Sequence, residues 1–308
     1  MERKEVTQYC SALSQNDSET VAYNNPLFPV YVRYGILSHY PGYSAISHWH
    51  MDLEFILVKK GRMIYNVNGT LVELKENNGI MINSRQIHHG FSPECQECEF
   101  ICVIVSPELL KGNEWFYQNC IECVTENTSY PYVVLRNDGW QASVLELLNQ
   151  MYACWQDEAM EESGGYFDVM AAYVSIMKIL YRNLPASPRT PEKESLEISL
   201  LKTMITYVEE HYMEHMALND IAAAGACCKS RCALLFKKYL KDTPISYVTK
   251  FRLRRSLTAL LDVDRQITDI AYEYGFGGAS YYCETFRKYY GVSPLRYRKI
   301  YQNPNKEV

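Results

Sequence analysis

Between residues 218 and 297 the chain repeats itself. Leu218-Asn219-Asp220-Ile221-Ala222 returns as Ile267-Thr268-Asp269-Ile270-Ala271, Phe236-Lys237-Lys238-Tyr239 as Phe286-Arg287-Lys288-Tyr289, and Thr243-Pro244-Ile245-Ser246-Tyr247 as Ser293-Pro294-Leu295-Arg296-Tyr297. The offset is 49 for the first pair and 50 for the others. Matching segments in one order mean two copies of one supersecondary unit. Each copy has the chemistry of helix, turn, helix. Asp220 and Asp269 fall in a leading first turn, where the helix dipole favours a carboxylate. Glycines at 225 and at 275, 277 and 278 mark the tight connections, and second helices follow over about 229–239 and 279–289. In both copies Thr or Ser then precedes Pro, an N-cap followed by a favoured first helical residue. Between the copies Val248, Phe251, Leu253, Leu257, Leu260 and Leu261 are helically spaced, which predicts a connecting helix over Tyr247 to Leu261.

Charge separates this part from the rest. Residues 1–192 hold 13 basic and 23 acidic side chains, a balance of −10; residues 193–308 hold 18 and 13, a balance of +5. The border is Leu184-Pro185-Ala186-Ser187-Pro188-Arg189-Thr190-Pro191, a proline-rich stretch with little to bury that reads as a semi-rigid linker. The acidic part repels polyphosphate and the basic part attracts it. Two units with basic second helices suit successive major grooves roughly 34 Å apart. A helical interaction module with a basic face would share the pattern. No run reaches the ~18 apolar residues of a membrane span. The start Met1-Glu2-Arg3-Lys4-Glu5 lacks a secretory apolar stretch, and eleven scattered cysteines do not look like a disulfide framework. The expected compartment is the cytoplasm, with no membrane partner.

Ile267-Thr268-Asp269-Ile270-Ala271-Tyr272-Glu273-Tyr274-Gly275-Phe276, Ser280-Tyr281-Tyr282, Phe286 to Pro294 and Tyr297-Arg298 resemble the signature of the AraC/XylS transcriptional regulators, in its expected order. The resemblance covers about residues 198–300. It implies an all-α, seven-helix domain of two helix-turn-helix units, about 218–239 and 266–289, which reads double-stranded promoter DNA and works with RNA polymerase. Carried onto this sequence, the base-facing positions are Lys229, Ser230, Arg231, Ala233 and Leu234 in the first unit and Ala279, Ser280, Tyr281, Cys283 and Glu284 in the second. Lys237, Lys238, Arg287 and Lys288 are expected to meet phosphates, which needs charge but no alignment to a base. The chain departs from the family in three ways. Lys241-Asp242 stand where a Gly precedes the Thr-Pro cap, Cys228 stands where a Ser opens the first recognition helix, and Leu234 and Glu284 stand where Arg is frequent.

Residues 30–105 carry short apolar runs separated by glycines and polar clusters: Val30 to Leu37, Leu53 to Val58, Met63 to Val67, Leu71 to Leu74, Ile80 to Ile82 and Phe100 to Val105. This spacing predicts an antiparallel barrel or sandwich. His48, His50 and Glu54, at i, i+2 and i+6, would share one side of a strand. The segment from Gly42 to Gly61 resembles the first cupin motif, which implies a jelly-roll β-barrel. The second motif is imperfect: Arg85 and Ile87 stand in the proline and glycine positions, and the histidine arrives early as His88-His89. His48, His50, Glu54 and His88 would line a ligand pocket, or hold a divalent metal (Zn, Ni, Mn or Fe) with positions open for a ligand. Trp49, Tyr31, Tyr65 and Phe91 could stack a sugar. Cys95-x-x-Cys98 and Cys120-x-x-Cys123 are weak zinc or redox candidates, since the first leads into an apolar strand and the second lies on a predicted helix. Residues 140–157 and 165–183 are spaced as amphipathic helices, and the resemblance implies that such helices pair two subunits into a homodimer.

The sequence therefore predicts an α+β multidomain chain: a cupin-like sensor and dimerisation domain over 1–183, a linker over 184–197 and a DNA-binding domain over 198–300. The expected function is sequence-specific transcriptional regulation, not catalysis, controlled by a small-molecule effector such as a sugar. A metal-dependent cupin enzyme, or a metal or redox sensor, fused to a DNA-binding domain is the alternative.

Overall fold

The computed structural model describes residues 21, 23–127, 129–185 and 196–302, in two compact units, one holding residues 23–185 and the other residues 196–302. The first unit is an antiparallel sheet domain with seven strands: β1 (Val30–Ile36), β2 (Leu53–Val67), β3 (Thr70–Lys75), β4 (Gly79–Ile82), β5 (His88–Phe91), β6 (Cys98–Val105) and β7 (Tyr132–Leu135). Two helices follow, α1 (Gly139–Gln156) and α2 (Gly165–Asn183).

β2 organises the unit. Its first half, Leu53–Gly61, pairs with β6 and β4, and its second half, Arg62–Val67, pairs with β3 and β5. The sequence predicts two strands here, broken at Lys59-Lys60-Gly61-Arg62. The backbone instead continues through a register shift between Val58 and Lys60, a bulge that bends the strand from one sheet into the other. Gly61 makes the bend possible: its φ is +78°, and a Cβ there would lie 2.3 Å from the Glu97 carbonyl oxygen. The strict alternation of β2 sorts its residues. Leu53, Phe55 and Leu57 join Val144, Leu148, Tyr173 and Ile176 of α1 and α2 in one core. Ile56 and Val58 join Tyr65, Ile80, Ile82 and Phe100 in a second core between the two sheets. Glu54 shares the inward parity of Ile56 and Val58.

The second unit is entirely helical, with seven helices among the described residues: α3 (Leu196–His211), α4 (Leu218–Ala224), α5 (Lys229–Leu235), α6 (Pro244–Leu261), α7 (Ile267–Glu273), α8 (Ala279–Tyr290) and α9 (Pro294–Gln302). A wider helical turn, Phe236–Leu240, extends α5. The duplicated caps form as their chemistry requires: the Thr243 hydroxyl accepts from the Ser246 N–H at 3.2 Å and the Ser293 hydroxyl from the Arg296 N–H at 3.3 Å. The copies differ just before these caps. Gly291 and Lys241 both end a helix in the left-handed region, at φ +76° and +58°, although only glycine does so without strain. Residues 186–195 of the predicted linker lie outside the described residues.

Candidate functional site

The sensor-side cluster begins with backbone pairing. His48 and His50 are not on a strand, as the i, i+2 spacing suggested; they precede β2, whose first residue is Leu53. His48 is held by a two-way bridge to β5, its N–H donating to the His88 carbonyl at 3.1 Å and the His88 N–H returning to the His48 carbonyl at 2.9 Å. The His50 carbonyl accepts from the Arg85 N–H at 2.8 Å, with Arg85 at φ +66°. A proline at 85 could supply neither that donor nor that φ, so the departure from the cupin pattern has a local reason.

These constraints bring His48, His50, Glu54 and His88 together, with one ligand atom from each all within 4.8 Å of one another. His50, Glu54 and His88 are buried and His48 is half-buried. The far side of each ring is fixed: Nδ1 lies 2.9 Å from the Ile46 carbonyl for His48, 3.2 Å from the Asp52 carbonyl for His50 and 2.7 Å from the Gln86 carbonyl for His88. A carbonyl only accepts, so Nδ1 carries a proton and Nε2 is the nitrogen turned inward. There Nε2 of His88, His50 and His48 lies 3.2, 3.3 and 4.0 Å from Glu54 Oε2. The other carboxylate oxygen accepts a hydrogen bond from the Tyr65 hydroxyl, which the sequence did not link to this group.

The electrostatics follow from burial and crowding. Burial holds the His48 imidazole well below its ordinary value of 6.5, and neighbouring His88 lowers it further. Burial would raise the Glu54 carboxyl, yet His88 and His50 outweigh it and hold the group well below its ordinary value. Burial, with Glu54 beside it, pushes the Tyr65 hydroxyl well up, so it remains a donor. Imidazole nitrogens facing an ionised carboxylate in a buried space call for positive charge between them, either a proton or a metal ion. Three imidazole nitrogens and one carboxylate oxygen, each with its outer side anchored, form a donor set that fits a divalent transition ion.

Strand register adds residues to the same interior. Tyr31 pairs with Ile104, which pairs with Glu54, and Arg33 pairs with Cys102, which pairs with Ile56. Directly paired residues share a sheet face, so Tyr31 and Arg33 sit on the inward face with Glu54. Of the other sequence candidates, Phe91 stacks on His89 with ring centroids 5.3 Å apart. The cysteine pairs do not converge into a ligand cluster among the described residues. Cys95 is exposed, burial pushes the Cys98 thiol up to about 12, and Cys120 and Cys123 are half-buried.

In the helical unit each recognition helix turns its apolar side inward. Cys232, Leu235 and Phe236 are buried under α5, while Lys229, Ser230, Arg231, Leu234, Lys237 and Lys238 are exposed and Ala233 is half-buried. Tyr282 and Phe286 are buried under α8; Ser280, Tyr281, Glu284, Arg287 and Lys288 are exposed, and Ala279 and Cys283 half-buried. The residues predicted to face DNA therefore lie on the sides of these helices not used for packing. Sequence reasoning missed Glu197 on α3, whose carboxylate meets Arg231 and Lys238, and Arg265, which pairs with Glu273 at the flank of α7.

Comparison with known proteins agrees with both halves of this description. Residues 30–166 match the AraC-like ligand binding domain family, and residues 221–300 match a helix-turn-helix domain family. The chain is 27% identical over 257 residues to the uncharacterized transcriptional regulator YdeC of Bacillus subtilis, covering 82% of this chain and 86% of that protein. It is 24% identical over 259 residues to the transcriptional activator RhaS of Mannheimia succiniciproducens, covering 82% and 88%. A shorter match, 32% identical over 99 residues, covers 32% of this chain and 33% of the melibiose operon regulatory protein of Escherichia coli. Apo ToxT from Vibrio cholerae aligns over 90% of this chain and 98% of its own, with 12% identity and a TM-score of 0.48.

Proposed function

Because the chain belongs to the AraC family of DNA-binding transcriptional regulators, we propose that it reports the occupancy of the His48, His50, Glu54 and His88 site to promoter DNA. Residues 1–183 sense and dimerise, 184–197 connect, and 198–300 read the operator. One observation carries the sensing half of this reading: three buried or half-buried imidazoles, anchored through Nδ1, turn Nε2 onto one ionised carboxylate. Those four side chains would hold a divalent ion such as Zn, Ni, Mn or Fe. When bound, it supplies positive charge and open coordination positions to the oxygens of a small molecule. An oxygen-rich effector such as a sugar suits this chemistry, with Tyr31, Trp49 and Tyr65 as its aromatic contacts. The effector acts by binding the DNA-competent arrangement better than its alternative.

On the DNA side Lys229, Ser230, Arg231, Ala233 and Leu234 face one major groove and Ala279, Ser280, Tyr281, Cys283 and Glu284 the next. Lys237, Lys238, Arg287 and Lys288 take the phosphates. A homodimer is supported by α2, whose Phe167, Val174 and Tyr181 recur every seventh residue and are 82%, 37% and 50% exposed. That is a one-sided apolar seam of the kind two copies of a helix bury against each other. No helix among the described residues is long and apolar enough to cross a membrane; the protein acts in the cytoplasm, where its promoter-bound form meets RNA polymerase.

Two measurements test this. The purified protein contains metal, and a His48→Ala, His50→Ala variant loses it; equal contents in both end the metal reading. The chain binds the DNA upstream of its own gene at least ~10³-fold more tightly than a random duplex of equal length; equal affinities end the operator reading. The complete four-ligand set favours a second reading, a metal sensor or a metal-dependent cupin enzyme joined to a DNA-binding unit. Turnover of a bound metabolite by the metal-loaded chain would establish the enzyme.

A further inference from the structure

Three polar groups of the first helix-turn-helix converge on one carboxylate that lies outside it. Glu197, the second residue of α3, accepts from Arg231 Nη2 at 2.7 Å through Oε1, and from Lys238 Nζ at 2.6 Å and the Tyr239 hydroxyl at 2.7 Å through Oε2. Arg231 and Lys238 are seven residues apart, two turns along one flank of α5 and its extension, beside the face formed by Ser230, Leu234 and Lys237. Both cations are about half exposed, and Glu197 itself is three-quarters buried in its side chain. The contact is not packing in need of a charge: α5 is already held by buried Cys232, Leu235, Phe236 and Tyr239. Lys238 also lies over the Tyr239 ring, 4.8 Å from its centre, so the lysine is drawn toward Glu197 by two groups.

We propose that Glu197 is a charge latch that occupies Arg231 and Lys238 in the free protein and sets how strongly the first recognition helix grips DNA. The inference rests on the DNA-binding reading of α5. A phosphate oxygen and the Glu197 carboxylate present the same chemistry to an arginine or lysine, so each cation serves one or the other. While the latch is closed, two of the four cations on α5 and its extension, Lys229, Arg231, Lys237 and Lys238, face an acid instead of DNA, and the acid's charge repels the approaching backbone. The place of the latch gives it a regulatory use. Glu197 stands at the start of α3, the first helix after the residues that join the two units, so a shift of that helix end alters the number of cations available to phosphate. The second helix-turn-helix has no such arrangement among the described residues: Arg287 and Lys288 take part in none of the ion pairs found there.

The test is fluorescence anisotropy with a labelled 30-bp random-sequence duplex, using the full chain, Glu197→Gln, and Glu197→Gln in an Arg231→Gln, Lys238→Gln background, over a salt series. The isosteric amide keeps the shape of the side chain and removes its charge. Glu197→Gln is expected to bind ~3- to 10-fold more tightly than the parent chain at low salt. Its log–log salt dependence should steepen by about one to two, because each further phosphate neutralised contributes ~0.9. In the background lacking both cations the gain should vanish. Equal or weaker binding by Glu197→Gln overturns the latch, as does a gain of the same size without Arg231 and Lys238, which would be general charge removal. No binding by the parent chain at any salt would instead defeat the DNA-binding reading itself.

Discussion

Replacing Glu54 by Gln should lower stability without metal and remove most of the stabilisation that metal gives. Glu54 Oε2 lies 3.3 Å from His50 Nε2 and 3.2 Å from His88 Nε2, and against the effect of burial these two imidazoles hold the carboxyl well below its ordinary value. A carboxylate is held low by positive charge or a donated hydrogen, so in metal-free protein Glu54 accepts a charge-assisted hydrogen bond here. The amide keeps the shape of the side chain and its oxygen can still accept from Tyr65, but it removes the negative charge. Hydrogen bonds to charged groups contribute ~1.5–3 kcal/mol, so a loss of about 2 kcal/mol is expected. For a unit of this size that is a decrease of roughly 4–8 °C in Tm. Metal widens the gap. An ion at a hundredfold excess over its Kd stabilises the parent by about 2.7 kcal/mol, and loss of a carboxylate ligand should weaken binding by well over the ~10- to 100-fold seen for outer-shell changes. Differential scanning fluorimetry of both proteins in EDTA and in excess Zn, Ni, Mn or Fe measures the two effects. A Glu54→Gln protein that melts with or above the parent in EDTA, or that gains as much from metal as the parent, would show that the carboxylate is not the partner of these imidazoles.

Lys241→Gly should stabilise the helical unit by ~1 kcal/mol, because it removes the Cβ from a residue held at φ +58°, read as an increase in the denaturant midpoint. In metal-free protein the sensor unit should lose stability as pH falls. The folded His48 imidazole sits well below 6.5, so under that pH the unfolded chain takes up a proton that the folded site refuses. Glu54, also depressed, adds a loss below about 4.5. A Tm unchanged between pH 8 and pH 5 would contradict this, and His48→Gln should flatten the upper part of the profile. Val174→Glu places a charge in the middle of the α2 seam and should lower the apparent mass in sedimentation velocity from dimer to monomer; a monomeric parent chain removes that interface.

What could be read in advance depended on whether a feature was local. The two helix-turn-helix units were visible because caps, turns and helical spacing are written in adjacent residues: Thr243 and Ser293 cap where their Ser/Thr-Pro pairs stand. His48, His50 and Glu54 were visible because imidazoles and a carboxylate at short spacing have few innocuous uses, and His88 came with the cupin resemblance. The continuity of β2 was not legible, since Lys59-Lys60-Gly61-Arg62 reads as a break and only the partner strand β6 shows that the chain stays extended through a bulge. Nor was β5, a short strand whose extended backbone is fixed by pairing with Val67 and with His48, far from it in sequence. The bond from Tyr65 to Glu54 and the role of Glu197 were missed for one reason: each acts on a residue that is distant along the chain, Tyr65 on Glu54 across the bend of β2 and Glu197 on Arg231 between two helices.

Both sites are built on the same physical plan. In the sensor unit an ionised Glu54 faces the Nε2 atoms of imidazoles, and in the helical unit an ionised Glu197 faces an arginine and a lysine. Imidazoles can give up a proton and ligate an ion, whereas an arginine and a lysine keep theirs and can only exchange one anion for another. An effector at the first site therefore adds binding free energy, whereas DNA at the second must displace an existing partner. Coupling between the two needs no change of fold in the DNA-binding unit. It needs only that the state favoured by the occupied sensor hold the beginning of α3 where Glu197 no longer reaches Arg231 and Lys238. The equilibrium then shifts by the difference in free energy between latched and phosphate-bound cations. Because exposed ion pairs of this kind are weak, that difference is small, and the regulation it provides is graded rather than all-or-none.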